Sequence, residues 1–253
     1  MRRLYAHRGA AAEEPENTLP GFALAVSYGA DALELDVHMT SDGKIVVSHD
    51  SDGMRMCNRT AKIRRTTYAE LSQWDAGWGF VDSDRQRPFA DKGYRIPLFA
   101  EILDQFPDKV INVDLKQRSP SMVSRMLQIV RQAGAEERVI LASFSQYTLL
   151  HVRAAGYRGL TALAPGDLAL ALYLPKPLGS RLPLRGQAAQ IPVQQGPISL
   201  ATPEKIAKLH GLGLRVDFWT INDVQEARRL LAMGADGIMT DDPKRIAAAF
   251  SEY

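Results

Sequence analysis

Three carboxylates, two histidines and two fixed cations stand at or just beyond the ends of short apolar runs in this sequence. Glu34 and Asp36 are two residues apart in Ala-Leu-Glu-Leu-Asp-Val, and Asp114 lies in the similar run Val-Ile-Asn-Val-Asp-Leu. Side chains alternate along a strand, so Glu34 and Asp36 share a face. If that face is buried, two like charges cannot both stay ionised without a compensating cation. Oxygen donors of this type suit Mg2+ or Ca2+ rather than a thiolate-seeking metal. The competing arrangement is an ordinary salt-bridge network in which Glu34 pairs with Arg8 or Lys116. Three acids at successive strand ends weigh toward the cation.

His7 ends the first apolar run, and His49 follows the run 44–48. Histidine titrates near neutral pH, so a pair flanking a carboxylate cluster fits general acid and base work. His38 is expected to alternate away from Asp36 and face outward. His151 and His210 fall in helical patterns, and all three take surface or packing roles. Arg8 and Lys116 supply positive charge beside the acids. Arginine grips phosphate with a fork and lysine acts as a point charge. Both can also neutralise the acids. The whole set fits phosphoryl-ester cleavage, in which cations stabilise charge developing on phosphate oxygens.

These groups can meet only if the fold gathers strand ends. Strand patterns run over 3–7, 32–37, 110–115, 139–143, 160–164, 188–191, 214–220 and 237–240. Helical patterns run over 18–28, 99–106, 120–132, 146–155, 203–210, 224–232 and 243–250. Ser119-Pro120, Thr202-Pro203 and Asp242-Pro243 each pair a capping residue with proline at a first helical position. Alternation of this kind predicts an α/β fold with a parallel sheet, and eight units close it into a TIM (β/α)8 barrel. Such barrels carry their chemistry at the C-terminal ends of the strands, where these residues fall. An open doubly wound sheet is the alternative, but no G-x-G-x-x-G follows the first strand. Residues 51–96 interrupt the repeat after the second strand. They carry Tyr68, Trp74, Trp78, Phe80, Phe89 and Tyr94, which predicts a small inserted subdomain rather than a bare loop.

The 253 residues suit one barrel domain spanning 1–253. The 31 basic and 29 acidic residues leave a net charge of +2, which excludes a strongly basic nucleic-acid binder and an acidic tail. Cys57 is the only cysteine, an ordinary thiol, so neither an intrachain disulfide nor an all-cysteine metal site can form. The most apolar stretch, 168–174, is broken by Pro175 and Pro177 and is too short to span a bilayer, which takes about 20 residues. No signal-peptide core follows the N-terminal arginines. The expectation is a cytoplasmic protein without a stable membrane anchor. The segment 168–194, with Tyr173, Arg181 and Arg185 among its leucines, is expected to be a helix and loop closing the barrel wall rather than a substrate-facing flap.

The ordered fragments resemble the glycerophosphodiester phosphodiesterase family over nearly the whole chain. They begin with His7-Arg8-Gly9, Pro15-Glu16-Asn17-Thr18 and Glu34-Leu35-Asp36-Val37. They continue with Asp42-Gly43, His49-Asp50 and Asn112-Val113-Asp114-Leu115-Lys116, and end with Trp219-Thr220-Ile221-Asn222 and Gly234-Ala235-Asp236-Gly237 before Thr240-Asp241. The resemblance implies hydrolysis of a small glycerophosphodiester to sn-glycerol 3-phosphate and an alcohol. It implies that Glu34, Asp36 and Asp114 hold one divalent cation, Mg2+ or Ca2+, and that His7 and His49 exchange protons with substrate. Arg8 and Lys116 would bind phosphate, Asn17 would make a supporting polar contact, and Trp219 would form an apolar wall. The family's third acid is usually glutamate, and here it is aspartate. Two other activities use similar groups: a metal-dependent barrel lyase or aldolase acting on a phosphorylated sugar, and a lysophospholipase D-type activity on lipid-linked glycerophosphodiesters.

Overall fold

The computed structural model describes residues 2–174 and 186–250. Its strands are β1 (Arg3–His7), β2 (Ala32–Met39), β3 (Ile45–Val47), β4 (Asp52–Gly53), β5 (Arg59–Lys62), β6 (Val110–Leu115), β7 (Val139–Ala142), β8 (Ala188–Pro192), β9 (Gln194–Gln195), β10 (Ile198–Ser199), β11 (Arg215–Trp219) and β12 (Gly237–Thr240). Its helices are α1 (Leu19–Ser27), α2 (Met54–Cys57), α3 (Tyr68–Leu71), α4 (Phe99–Gln105), α5 (Val123–Gln132), α6 (Gln146–Ala154), α7 (Pro165–Tyr173), α8 (Pro203–His210), α9 (Val224–Ala232) and α10 (Pro243–Ala247).

The parallel sheet runs β7-β6-β2-β1-β12-β11-β8. The gap between β7 and β8 is filled by a short stave at Thr161 and Ala162. Thr161 bridges Leu141 and Ala162 bridges Ala188, both in parallel. This closes the ring as a TIM barrel. The fifth strand therefore exists as bridging residues rather than as a strand over 160–164. Gly159 precedes it and Pro165, which lacks a backbone donor, opens α7 directly after it.

Helix starts follow local chemistry. The side chains of Thr18, Thr202, Asp223 and Asp242 accept from backbone N–H groups inside α1, α8, α9 and α10. The start predicted at Pro120 is corrected: α5 begins at Val123. Gln117 donates to the Pro120 carbonyl, which keeps that stretch in a turn. One apolar layer lies between α1, α4 and α5 and the sheet, with Phe22, Leu35, Val113 and Val130 at its centre. A second lies under α7 to α10 around Phe218, Ile206 and Leu230. Inside the ring, Tyr5, Ala32, Ile140 and Met239 make a floor.

Residues 51–96 follow a β2–β3 hairpin rather than β2 itself. They include the antiparallel pair β4–β5 and bury Cys57, Ile63, Leu71 and Trp74 against Val46 of β3. Phe89 stacks edge-on against Phe80 and Tyr94. The helix predicted in 168–194 is present as α7, but the expectation that it only closes the barrel wall is corrected: its Leu168, Leu172 and Tyr173 line the cavity at the strand ends. Residues 175–185, which include Arg181 and Arg185, lie outside the described residues.

Phe22 is fully buried and meets Phe106 edge to face at 6.3 Å. Phe22→Ala should cost about 3–5 kcal/mol of stability, read from the urea midpoint at unchanged slope. A loss below about 1 kcal/mol would contradict this packing.

Candidate active site

Parallel register decides which side chains meet. His7 lies beside Glu34, Glu34 beside Asn112, and Asp36 beside Asp114. The inward faces of β1, β2 and β6 thus bring the acids and His7 to one end of the ring. The β2–β3 hairpin then folds back, and Ser48 N–H donates to the Asp36 carbonyl. This return delivers His49 alongside Asp36. The groups line a cavity of about 400 Å³. His7, Arg8, Glu34, Asp36, His49, Asp114 and Lys116 form its charged side, while Phe144, Leu168, Leu172, Tyr173 and Trp219 form an apolar side. Trp219 sits at the end of β11 with its ring edge-on to Phe144 at 6.0 Å.

Asp36 is the best-partnered acid. Lys116 Nζ lies 2.9 Å from its Oδ1, and Arg8 Nε lies 3.1 Å from its Oδ2. Burial opposes its charge, but Lys116 and Arg8 outweigh burial and hold its carboxyl below the usual range. Lys116 also pairs with Asp114 Oδ2 at 2.7 Å. Burial nevertheless raises the Asp114 carboxyl, with Lys116 opposing. Glu34 has the weakest support. It faces His7 Nε2 at 3.8 Å, and burial followed by repulsion from Asp36 pushes its carboxyl well above the ordinary range. Lys116 therefore bridges the two aspartates, Arg8 reaches Asp36, and Glu34 pairs with neither cation.

Asn17 does not line the cavity. It is buried behind Asp36 and donates to Asp36 Oδ2 at 3.2 Å. Arg8 and Asn17 both have left-handed backbones, with φ of 57° and 58°. The turn that carries them is packed tightly: a Cβ on Gly9, at φ 93°, would meet the backbone of Gly21 at 2.8 Å.

Each proposed catalytic imidazole has a carboxylate on Nδ1. His7 Nδ1 lies 2.6 Å from Asp241 Oδ1, and His49 Nδ1 lies 2.9 Å from Asp50 Oδ1. Asp241 is fixed in turn: Asn222 Nδ2 donates to its Oδ2, and its own N–H donates to Asn222 Oδ1. Burial disfavours charge on His7, but Glu34 and the Asp241 bond outweigh burial and raise its pKa. The sequence reading assigned no role to Asp241, Asn222 or Asp50. The signal for Asp241 was present, since it directly follows the strand beside β1.

The expectation for His38 is corrected. It is two residues beyond Asp36, so period-two alternation turns it to the same side. It is buried, and its Nε2 lies 3.2 Å from the His49 carbonyl. His151 contacts Ser121, and His210 pairs with Asp236; both are on helices away from the cavity.

The donor chemistry fits a hard cation. Glu34 Oε2 and Asp114 Oδ1 are buried without a hydrogen-bond partner, and burial with mutual repulsion raises both groups. A divalent cation would relieve that repulsion. Among the described residues no three such side chains stand in metal-ligand geometry, and the Lys116 ammonium sits against both Asp36 and Asp114.

The sequence pattern of the Glycerophosphoryl diester phosphodiesterase family matches residues 7–245. A glycerophosphodiester phosphodiesterase of Caldanaerobacter subterraneus subsp. tengcongensis is 32% identical over 250 residues, covering 95% of this chain and 94% of its own. A lysophospholipase D of Homo sapiens is 29% identical, covering 95% and 83%. The structure of an Oleispira antarctica phosphodiesterase in complex with sn-glycerol-3-phosphate aligns with a TM-score of 0.79 at 25% identity, covering 98% and 96%. The chain belongs to the glycerophosphoryl diester phosphodiesterase family and is a phosphoric diester hydrolase. No helix among the described residues is long and apolar enough to cross a membrane.

Lys116→Met should leave Asp36 and Asp114 facing each other and cost about 3–5 kcal/mol at neutral pH. Asp36 carries the sign. A carboxyl held below its unfolded pKa contributes stability above about pH 4, and that stability is lost as pH falls through the folded value. The gap between wild type and Lys116→Met should therefore shrink on acidification, measured by denaturant melts across pH. A constant gap would contradict the pairing.

Proposed function

We propose that this protein hydrolyses glycerophosphodiesters to sn-glycerol 3-phosphate and an alcohol, with a divalent cation and with His7 and His49 as general acid and base. One observation carries the reading. Two imidazoles, each with Nδ1 on a carboxylate, share a cavity with three acids and two cations. The Oleispira relative in complex with sn-glycerol-3-phosphate supports the substrate class.

Glu34, Asp36 and Asp114 would hold the cation, Mg2+ or Ca2+. When bound, it neutralises charge on the phosphate oxygens. Arg8 and Lys116 bind the same phosphate, Arg8 with the planar fork that suits its oxygens. Asn17 supports this arrangement from behind Asp36. A carboxylate on Nδ1 fixes each ring and leaves Nε2 as the nitrogen that exchanges a proton. One histidine removes a proton from the nucleophile, and the other protonates the leaving alcohol. With a hydroxyl of the substrate's own glycerol as nucleophile, held next to phosphorus and gaining from high effective molarity, the alcohol leaves and a cyclic glycerol phosphate forms, which water then opens to sn-glycerol 3-phosphate. Trp219 and Phe144 shield the glycerol or the leaving alcohol from water.

A lysophospholipase D-type reaction is the second reading, favoured by the apolar side of the cavity. Leu168, Leu172 and Tyr173 of α7 extend it beyond what a glycerol needs. A barrel lyase has less support, since the histidine pair and the match to the phosphodiesterase family weigh against it.

Choline release from glycerophosphocholine and from lysophosphatidylcholine tests these readings in parallel, with the phosphorus product identified. The expected outcome is sn-glycerol 3-phosphate from the first substrate, abolished by chelator and restored by Mg2+ or Ca2+. Lysophosphatidate from the second would establish the lipid reading. Absence of chelator-sensitive product from both substrates would end both readings. His7→Ala and His49→Ala should each lower kcat by about 10²–10⁴-fold. Full activity in His49→Ala would remove that residue from the mechanism.

A further inference from the structure

Arg55 lies on α2, in the segment after the β2–β3 hairpin, and does not line the cavity. Its guanidinium makes three short contacts with two acids. Nη1 and Nη2 reach Glu16 Oε2 and Oε1 at 2.8 and 2.7 Å, and Nε reaches Asp50 Oδ2 at 2.7 Å. Each acid uses another contact to hold a residue of the site. Asp50 Oδ1 takes His49 Nδ1 at 2.9 Å, and Glu16 Oε1 takes Arg8 Nη1 at 3.2 Å. The result is an unbroken chain, His49–Asp50–Arg55–Glu16–Arg8.

The geometry suits orientation more than stability. Exposed ion pairs contribute little to folding, and the Arg55 side chain is 47% exposed. A guanidinium bound through three nitrogens has a fixed plane, however, and so fixes both carboxylates relative to each other. Neither acid is otherwise well anchored. Asp50 is adjacent in sequence to the imidazole it orients, and Glu16 precedes Asn17, which sits in the left-handed region. Arg8 also has a left-handed backbone, so its side chain relies on Asp36 and Glu16 for direction.

We propose that Arg55 is a positioning residue for the reaction proposed above, setting His49 through Asp50 and Arg8 through Glu16. One guanidinium outside the barrel strands thereby tunes both proton transfer and phosphate binding. The inference rests on the reading of the site as a glycerophosphodiester hydrolase.

The test is a set of two double-mutant cycles, with steady-state kinetics on glycerophosphocholine at saturating cation. Asp50→Asn should lower kcat about tenfold with KM little changed. Glu16→Gln should raise KM several-fold with kcat little changed. Arg55→Lys should do both, because an ammonium cannot reproduce the fork. In Arg55→Lys/Asp50→Asn, kcat should fall no further than in the worse single variant. In Arg55→Lys/Glu16→Gln, KM should likewise rise no further. Fully multiplicative losses in both cycles would show that Arg55 acts only through the fold and would overturn the proposal. A second readout does not depend on turnover. With histidine-selective ¹⁵N labelling at one fixed pH, Arg55→Lys should shift the His49 ring signals and leave those of His151 and His210 in place. If wild type turns over no glycerophosphodiester, the hydrolase reading fails, and the positioning claim is decided by that spectrum alone. An unchanged His49 signal would overturn it.

Discussion

The fold's demanding constraint is a surplus of negative charge inside a closed ring. Glu34, Asp36 and Asp114 are buried on two neighbouring strands, and two cations, Arg8 and Lys116, reach them. Both cations serve Asp36, so Glu34 is left with a histidine at 3.8 Å. Such a cluster costs stability, since buried like charges repel and their desolvation is not recovered. A chain that keeps it must hold the strands rigidly elsewhere. Here that support comes from the two apolar layers outside the ring and from the Tyr5, Ala32, Ile140 and Met239 floor beneath.

The neighbours of the acids are arranged around that constraint. Asn17 and Arg8, both in left-handed conformations, close on Asp36 from the β1–α1 turn. Asp241 and Asn222, from the ends of β12 and β11, hold His7 from the other side. The hairpin after β2 overshoots the rim and returns, so His49 arrives from an antiparallel strand rather than from a stave of the barrel. Residues from several separate parts of the chain thus face one cavity, and Asp36, His7, His49 and Arg8 are each held by a partner that does not itself line it: Asn17, Asp241, Asp50 and Glu16.

Much of this was legible in the sequence because strand alternation and parallel register are short-range rules. Glu34 and Asp36 share a face by period two, and the strands 3–7, 110–115 and 237–240 have the limits read from their apolar runs. The same rule, applied consistently, places His38 beside Asp36 rather than outside. The fifth stave was overextended because apolar residues at 160–164 resemble a strand, while its hydrogen bonds are limited by Gly159 and Pro165. Pro120 follows a capping residue, but the chain turns once more before α5 begins. Arg55, Glu16 and Asp50 were beyond sequence reasoning for a different reason. Their pairing joins positions 39 residues apart across the segment boundary, and no local pattern encodes it.

Aspartate at 114, where the resembling family usually has glutamate, connects these points. The shorter side chain keeps its carboxylate near its own strand, beside Asp36 in register. Lys116, two residues further on, turns to the same side and reaches both aspartates at once. The lysine thereby serves as the counter-charge of the aspartate pair, while Glu34 on the neighbouring turn of the pleat stays uncompensated. Charge demand in the cavity is therefore uneven. It is lowest between Asp36 and Asp114 and highest at Glu34, beside His7. A cation or a protonated imidazole is most strongly drawn to that end of the cluster, the same end where the His7 ring is fixed by Asp241.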